Sequence, residues 1–260
     1  MRLPYHIIDA FADRVFRGNP AAVVPLEKFL PDALMQSIAA ENNLSETAFV
    51  VPHGADFRLR WFTPTVEVPL CGHATLATAF VLSQTGTPPP WRFHTQSGLL
   101  SVMHDGTRLV MDFPAWPATP AEAPPGLAEA LGATPTEVHC ARDWIAVFDT
   151  PETVAALRPD HAKLAALPGE RVIATAAGGD GADITSRYFA AKLGINEDPV
   201  TGAAHTQLVP FWAARLNRTR LVCRQASARG GTLWCEFSGD RVKIGGTAVP
   251  YARGEILLPD

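Results

Sequence analysis

With 260 residues, 47% of them apolar and 18% charged, the chain has the composition of an ordinary globular protein that hides roughly three quarters of its extended-chain surface. Fibrous and disordered classes are excluded. Its 22 basic and 26 acidic residues leave a formal charge of −4, which gives none of the basic field that phosphate backbones select, so nucleic acid is not an expected partner. The longest apolar runs, such as Ala74 to Leu82, are far shorter than the ~20 residues a bilayer requires. Asp9 interrupts the N-terminus before a secretion signal core forms, and the expected location is the cytoplasm, with no membrane partner.

In chain order, strand-like runs at His6 to Ile8 and Ala21 to Val24 precede a helix predicted from Pro31 to Glu41. Pro31 suits a first helical turn, and Leu34 and Ile38 lie one turn apart on one face. Thr47 to Val51 and Asp56 to Phe62 follow as strands joined by a hairpin through Pro52-His53-Gly54. In the second of these, Phe57, Leu59 and Trp61 alternate with Arg58 and Arg60 as in a half-buried strand. From Phe113 to Gly126 the proline density argues against regular helix or central strand. The expected organisation is a first domain over 1–115, a Pro-rich linker over 116–126 and a second domain over 127–260, with a final strand near 254–258 as a candidate to join the first.

The two sides of that linker echo each other. Arg60-Trp61-Phe62 closes a strand, and after an irregular stretch Gly72-His73-Ala74-Thr75 opens a run of small and apolar residues. Arg187-Tyr188-Phe189 does the same before Gly202-Ala203-Ala204-His205. This succession suggests a duplicated α/β unit. Neither run carries a polar stripe, the pattern of a helix enclosed by its own sheet. Pro210 is expected to kink the second helix after two turns or to mark its end.

Helix openings at Gly72 and Gly202 leave backbone N–H groups and partial positive charge that suit a carboxylate or phosphate; the bland alternative is glycine in a tight turn. Glu46 stands at the mouth of an otherwise uncharged strand, where it reads either as a general acid/base or as a capping or ion-paired glutamate. Asp198 before Pro199 reads as a turn former, and His73 as a core histidine, unless the two converge with Glu46. Cys71, in Cys-Gly-His at a helix start, is either a nucleophile or base or a buried thiol. The cysteines Cys71, Cys140, Cys223 and Cys235 contain no Cys-x-x-Cys pair, and with His73 and His139 they complete no familiar zinc spacing, so no metal is expected. Cys223 and Cys235 flank the Gly230-Gly231 turn, a spacing compatible with neighbouring strands, and are expected as free thiols.

Asp9-Ala10-Phe11, Phe16-Arg17-Gly18-Asn19-Pro20-Ala21-Ala22-Val23-Val24, Asn43-Leu44-Ser45-Glu46-Thr47, Cys71-Gly72-His73-Ala74-Thr75-Leu76 and Glu197-Asp198-Pro199-Val200-Thr201-Gly202 together resemble the PhzF-type phenazine-biosynthesis isomerase family, which shares the diaminopimelate epimerase fold. The resemblance spans nearly the whole chain. It implies an α/β (α+β) protein of two similar domains, each a curled mixed β-sheet around a central helix, with the active site in the cleft between them. It implies a homodimer, no metal or organic cofactor, and a small carboxylate-bearing substrate; the characterised family member isomerises a dihydro-hydroxyanthranilate. By position, Glu46 matches the glutamate that shuttles a proton between two carbons of one substrate face. His73 and Asp198 match residues that position the substrate and assist that transfer, and Ser45, Gly72 and Gly202 match groups at its carboxylate end.

Ala203 stands where the family often has serine, which sets the phenazine substrate itself apart from this chain's expected ligand. Related racemases use two opposed thiols; Cys71 lies near the first of those positions, and Asp198-Pro199-Val200-Thr201-Gly202 occupies the second. Two alternatives accompany the isomerase reading: a Cys71-dependent epimerase or dehydratase, and a catalytically inactive small-acid binding protein.

Overall fold

The structure, a computed structural model, describes residues 1–259. In chain order its elements are β1 Arg2–Ala10, β2 Asn19–Pro25, α1 Asp32–Asn42, β3 Glu46–His53, β4 Asp56–Phe62, β5 Glu67–Val68, α2 Gly72–Ser83, β6 Trp91–Thr95, β7 Gly98–Asp105 and β8 Arg108–Pro114. There follow β9 Thr119–Pro120, α3 Leu127–Leu131, β10 Glu137–Cys140, β11 Trp144–Val147, α4 Pro151–Ala156, α5 His161–Ala166, β12 Val172–Ala177, β13 Ile184–Ala190, β14 Ile195–Asp198 and α6 Gly202–Leu216. The chain finishes with β15 Arg220–Gln225, β16 Gly231–Ser238, β17 Arg241–Gly246 and β18 Ala248–Leu257. No helix among the described residues is long and apolar enough to cross a membrane.

Two compact units result: Met1–Asp112 with the chain from Gly245 onward, and Phe113–Ile244. The sequence-based division gave 127–260 to the second domain. In the structure β18 lies with the first unit and pairs antiparallel with β1 from Arg2↔Leu257 to Ala10↔Ala248. Residues 116–126, expected as a linker, fall inside the second unit, where Thr119 and Pro120 form a short edge strand on Cys140 and His139. An edge is where a proline, which has no N–H to give a ladder, is tolerated.

The first unit is a mixed sheet. β1 runs antiparallel to β2, β2 parallel to β3 and β3 antiparallel to β4. β4 then forks: its Trp61–Phe62 end pairs antiparallel with β5, and its Phe57–Arg58 end pairs parallel with β6. α2 packs on β1, β2 and β3 and is buried on nearly every side, including His73, Thr75 and Thr78. That burial explains its lack of a polar stripe. α1 begins after Pro31 and packs Met35, Ile38 and Ala39 into a cluster with Val24, Phe49 and Phe62.

The second unit repeats this plan strand for strand. β10 is antiparallel to β11, β11 parallel to β12, and β12 antiparallel to β13. β13 forks to β14 (antiparallel) and β15 (parallel) as β4 forks to β5 and β6. α6 takes the place of α2, buried from Ala204 through Pro210. The α6 helix runs through Pro210 to Leu216 rather than ending there. A helical proline frees the carbonyl four residues earlier; here that carbonyl, of Thr206, accepts the backbone N–H of Trp116 at 2.9 Å. The Pro-rich segment thus satisfies the group that Pro210 leaves open.

Candidate active site

In the first unit, the turn before β2 sets the site's floor. Gly18 has φ +65°, and a Cβ there would lie 2.1 Å from the Ala10 carbonyl oxygen, so only glycine fits the approach. The next residue, Asn19, is fully buried and directs Nδ2 to within 3.2 Å of His73 Nδ1. Cys71 Sγ lies 3.5 Å from the same nitrogen. On the other ring nitrogen, His73 Nε2 is 3.1 Å from Glu46 Oε2, with both side chains largely buried. β3 opens with Glu46 and α2 opens with Gly72, which brings the carboxylate, the imidazole and the thiol together.

Glu46 and His73 are close enough to attract strongly, yet they meet off the hydrogen-bonding line. Neither Glu46 Oε2 nor His73 Nε2 has an aligned hydrogen-bond partner among the described residues. A buried polar atom without a partner is costly, and here two such atoms lie side by side, 3.1 Å apart. Burial disfavours the His73 imidazolium, but the facing Cys71 sulfur and Glu46 carboxylate outweigh it and hold the pKa well above the ordinary histidine value. Burial first, and then the Glu46 charge, push the Cys71 thiol up to about 11, against the pull of His73 and the Ala74 backbone. A thiol so held is a poor base at neutral pH.

The ligand atoms of Glu46, Cys71 and His73 lie within 4.8 Å of one another. Sulfur and carboxylate, however, abut different ring nitrogens, so an ion held on one nitrogen turns away from the other's partner. The arrangement suits a line of proton-carrying contacts better than a shared metal.

In the second unit, Asp198 ends β14 and is buried, and its Oδ2 accepts the Thr201 hydroxyl. Gln225, at the end of β15, clasps the 198–201 turn through both ends of its amide. Gly202 opens α6 after an extended Thr201 (φ −117°, ψ 102°), as Gly72 opens α2 after an extended Cys71 (φ −144°, ψ 113°). Neither helix start has a side-chain cap among the described residues, which leaves first-turn N–H groups for other acceptors. Ala203 is exposed in that first turn, and Ser45 is half-buried just ahead of Glu46.

The structure therefore brings Glu46, His73 and Cys71 together in the first unit and groups Asp198 with Gly202 in the second. The sequence-based reading assigned no role to Asn19, Thr201 or Gln225. Asn19 carried a signal in its place between Gly18 and Pro20; Gln225 carried none. All four cysteines are free thiols. Cys223 and Cys235 are near neighbours on β15 and β16, in the ladder Leu221↔Cys235 and Cys223↔Leu233.

The phenazine biosynthesis-like protein family matches residues 8–254. An uncharacterized isomerase of Pseudomonas aeruginosa is 52% identical over 260 residues, covering 99% of this chain and all of that protein. The crystal structure of a PhzF-family phenazine biosynthesis protein from Enterococcus faecalis superposes with a TM-score of 0.97 at 50% identity, over 99% of this chain and all of that one. A probable proline racemase from Agrobacterium radiobacter, at 9% identity and a TM-score of 0.67 over 99% of this chain and 93% of that one, shares the fold alone. The fold is thus the epimerase-like one, two similar mixed-sheet units each with a buried helix, and the chain belongs to the PhzF family of isomerases.

Proposed function

We propose that this protein is a cofactor-independent isomerase that moves a proton between carbons of a small carboxylate-bearing substrate, with Glu46 as the general acid/base. The observation that carries this reading is the Glu46–His73 pair: 3.1 Å apart, buried, and not aligned with each other. A base must reach the proton it removes, and a carboxylate whose second partner is an imidazole can take up and return a proton without leaving a bare charge in the protein. His73, 3.1 Å from the Glu46 carboxylate, supports the negative charge that develops on the substrate when a C–H proton leaves. The raised thiol favours Glu46 over Cys71 as the base. In the same reading Asp198 assists by holding a polar group of the substrate, and Ser45, Gly72, Gly202 and Ala203 contribute to the carboxylate end.

The test is incubation in D₂O with a panel of small carboxylic acids and cyclic amino acids, a dihydro-hydroxyanthranilate among them, followed by proton NMR. The expected result is deuterium at one carbon together with a positional isomer, both reduced about 100-fold or more by His73→Ala and by Asp198→Asn. Isomer formation with no solvent deuterium in substrate or product, at any extent of reaction, would contradict an exchangeable glutamate proton.

A further inference from the structure

Asp198 is presented by the short turn Asp198-Pro199-Val200-Thr201 between β14 and α6. One strand residue fastens that turn. Gln225 is fully buried; its Oε1 accepts the Thr201 N–H at 2.8 Å, and its Nε2 donates to the Asp198 carbonyl at 2.7 Å and to the Thr201 hydroxyl at 3.2 Å. A hydroxyl has one hydrogen to give and two lone pairs to accept with. Because the Gln225 amide nitrogen can only donate, the single Thr201 hydrogen is left for another acceptor, and it goes to Asp198 Oδ2. The chain of donors has one direction, from Gln225 through Thr201 to the carboxylate.

Thr201 occupies the N-cap of α6, where a threonine hydroxyl ordinarily accepts a first-turn N–H and stabilises the helix. It makes no such cap here among the described residues. Its hydroxyl hydrogen goes to the Asp198 carboxylate instead, a charge-assisted bond that fixes the carboxylate rather than the helix start. Ser227, two residues beyond Gln225, adds a second fastening by donating to the Pro199 carbonyl at 2.7 Å.

The geometry points to Thr201 and Gln225 as positioning residues that fix the orientation of Asp198 and commit one of its oxygens, so that the carboxylate meets the substrate in a single pose. This rests on the reading of Asp198 given above. The experiment compares Thr201→Val, Thr201→Ser and Asp198→Asn with the wild type, on whichever panel acid the wild type deuterates fastest, with kcat and KM resolved. Thermal melting and the ¹³C resonance of the Asp198 carboxyl are followed alongside.

The expected result for Thr201→Val is a kcat lower by about tenfold or more, the size expected for a hydrogen bond to a charged group. Its KM should stay within about threefold and its Asp198 resonance should move, while Thr201→Ser restores both rate and resonance. Wild-type kcat in Thr201→Val alongside an impaired Asp198→Asn overturns the positioning role while leaving the reading of Asp198 intact. Equal losses in the valine and serine variants, tracking a lowered melting temperature, also overturn it. Full activity in Asp198→Asn overturns the reading of Asp198 and the positioning role with it. If the valine variant fails to fold, Thr201→Ala, which lacks the hydroxyl without adding bulk, makes the same comparison.

Discussion

His205, in the first turn of α6, is fully buried and donates Nδ1–H to the Thr201 carbonyl at 2.8 Å. Burial lowers its pKa to about 4, against a smaller upward pull from that carbonyl. The folded histidine therefore stays neutral where an unfolded one, with a pKa near 6.5, takes up a proton. In that window the unfolded state binds more protons, so stability is present above about pH 6.5 and is lost as the pH falls to about 4, by about 3 kcal/mol in all. Urea unfolding at pH 7 and pH 4.5 checks this: His205→Gln should lose less stability between the two than the wild type does. An identical loss in both proteins would assign the acid sensitivity to other groups. At this scale the sequence offered candidates rather than a site: Glu46, His73 and Asp198 read as chemical only on the condition that they converge, and Cys71 read separately as a nucleophile or a buried thiol. The structure sets Glu46 and Cys71 against the two nitrogens of the His73 ring. Asn19 and Gln225 were not legible as partners, because Asn19 meets His73 54 residues away and Gln225 meets Thr201 24 residues away, and only strand pairing makes those neighbours.

Two elements of the same shape are braced in the same way. Arg60 on β4 grips Glu67 on β5 through two bonds of 2.7 Å, and Arg187 on β13 grips Glu197 on β14 at 2.7 and 2.8 Å. Each brace holds the fork that leads to a buried helix. Arg187 also donates to the carbonyls of Val154 and Leu157 at the end of α4, so its removal strands more buried acceptors. Arg187→Met is expected to cost about 3–5 kcal/mol, the range for breaking a buried pair, and Arg60→Met distinctly less; chemical denaturation of the two variants measures the difference. Equal costs would mean that the α4 carbonyls find other partners. The repeated Arg-aromatic-Phe signature showed the paired strands in the sequence but not their ionic partners, since Glu67 and Glu197 sit at different separations, 7 and 10 residues on. Pro210 left two outcomes open in the sequence, a kink or an end, and the helix continues; the carbonyl it frees is answered by Trp116, far earlier in the chain, which no local pattern could reveal.

Across the whole molecule, the two units share a topology but not a chemistry. β3 opens with Glu46 beside a histidine-bearing helix, whereas β12 opens with Val172 and α6 carries Ala203 second, where α2 carries His73. The duplication therefore supplies a scaffold, and the Glu46–His73 pair stands on one copy. The C-terminal return of β18 completes that copy. A chain ending at Gly246 would leave β1 without its neighbour along Arg2–Ala10, and such an edge is prone to association. It is expected to lose cooperative unfolding by calorimetry and to aggregate; a sharp, wild-type-like transition would show that β18 is dispensable. The return was only partly legible, because a closing strand reads the same whichever sheet it joins.

The central claim is that Glu46 carries the proton. Its most direct test is deuterium incorporation from D₂O by the wild type, Glu46→Gln and Cys71→Ser, on the panel acid that the wild type exchanges fastest. Loss of about 10²- to 10⁴-fold in Glu46→Gln, with exchange retained in Cys71→Ser, is the predicted result. Exchange retained in Glu46→Gln and abolished in Cys71→Ser would contradict it and make the thiol the base.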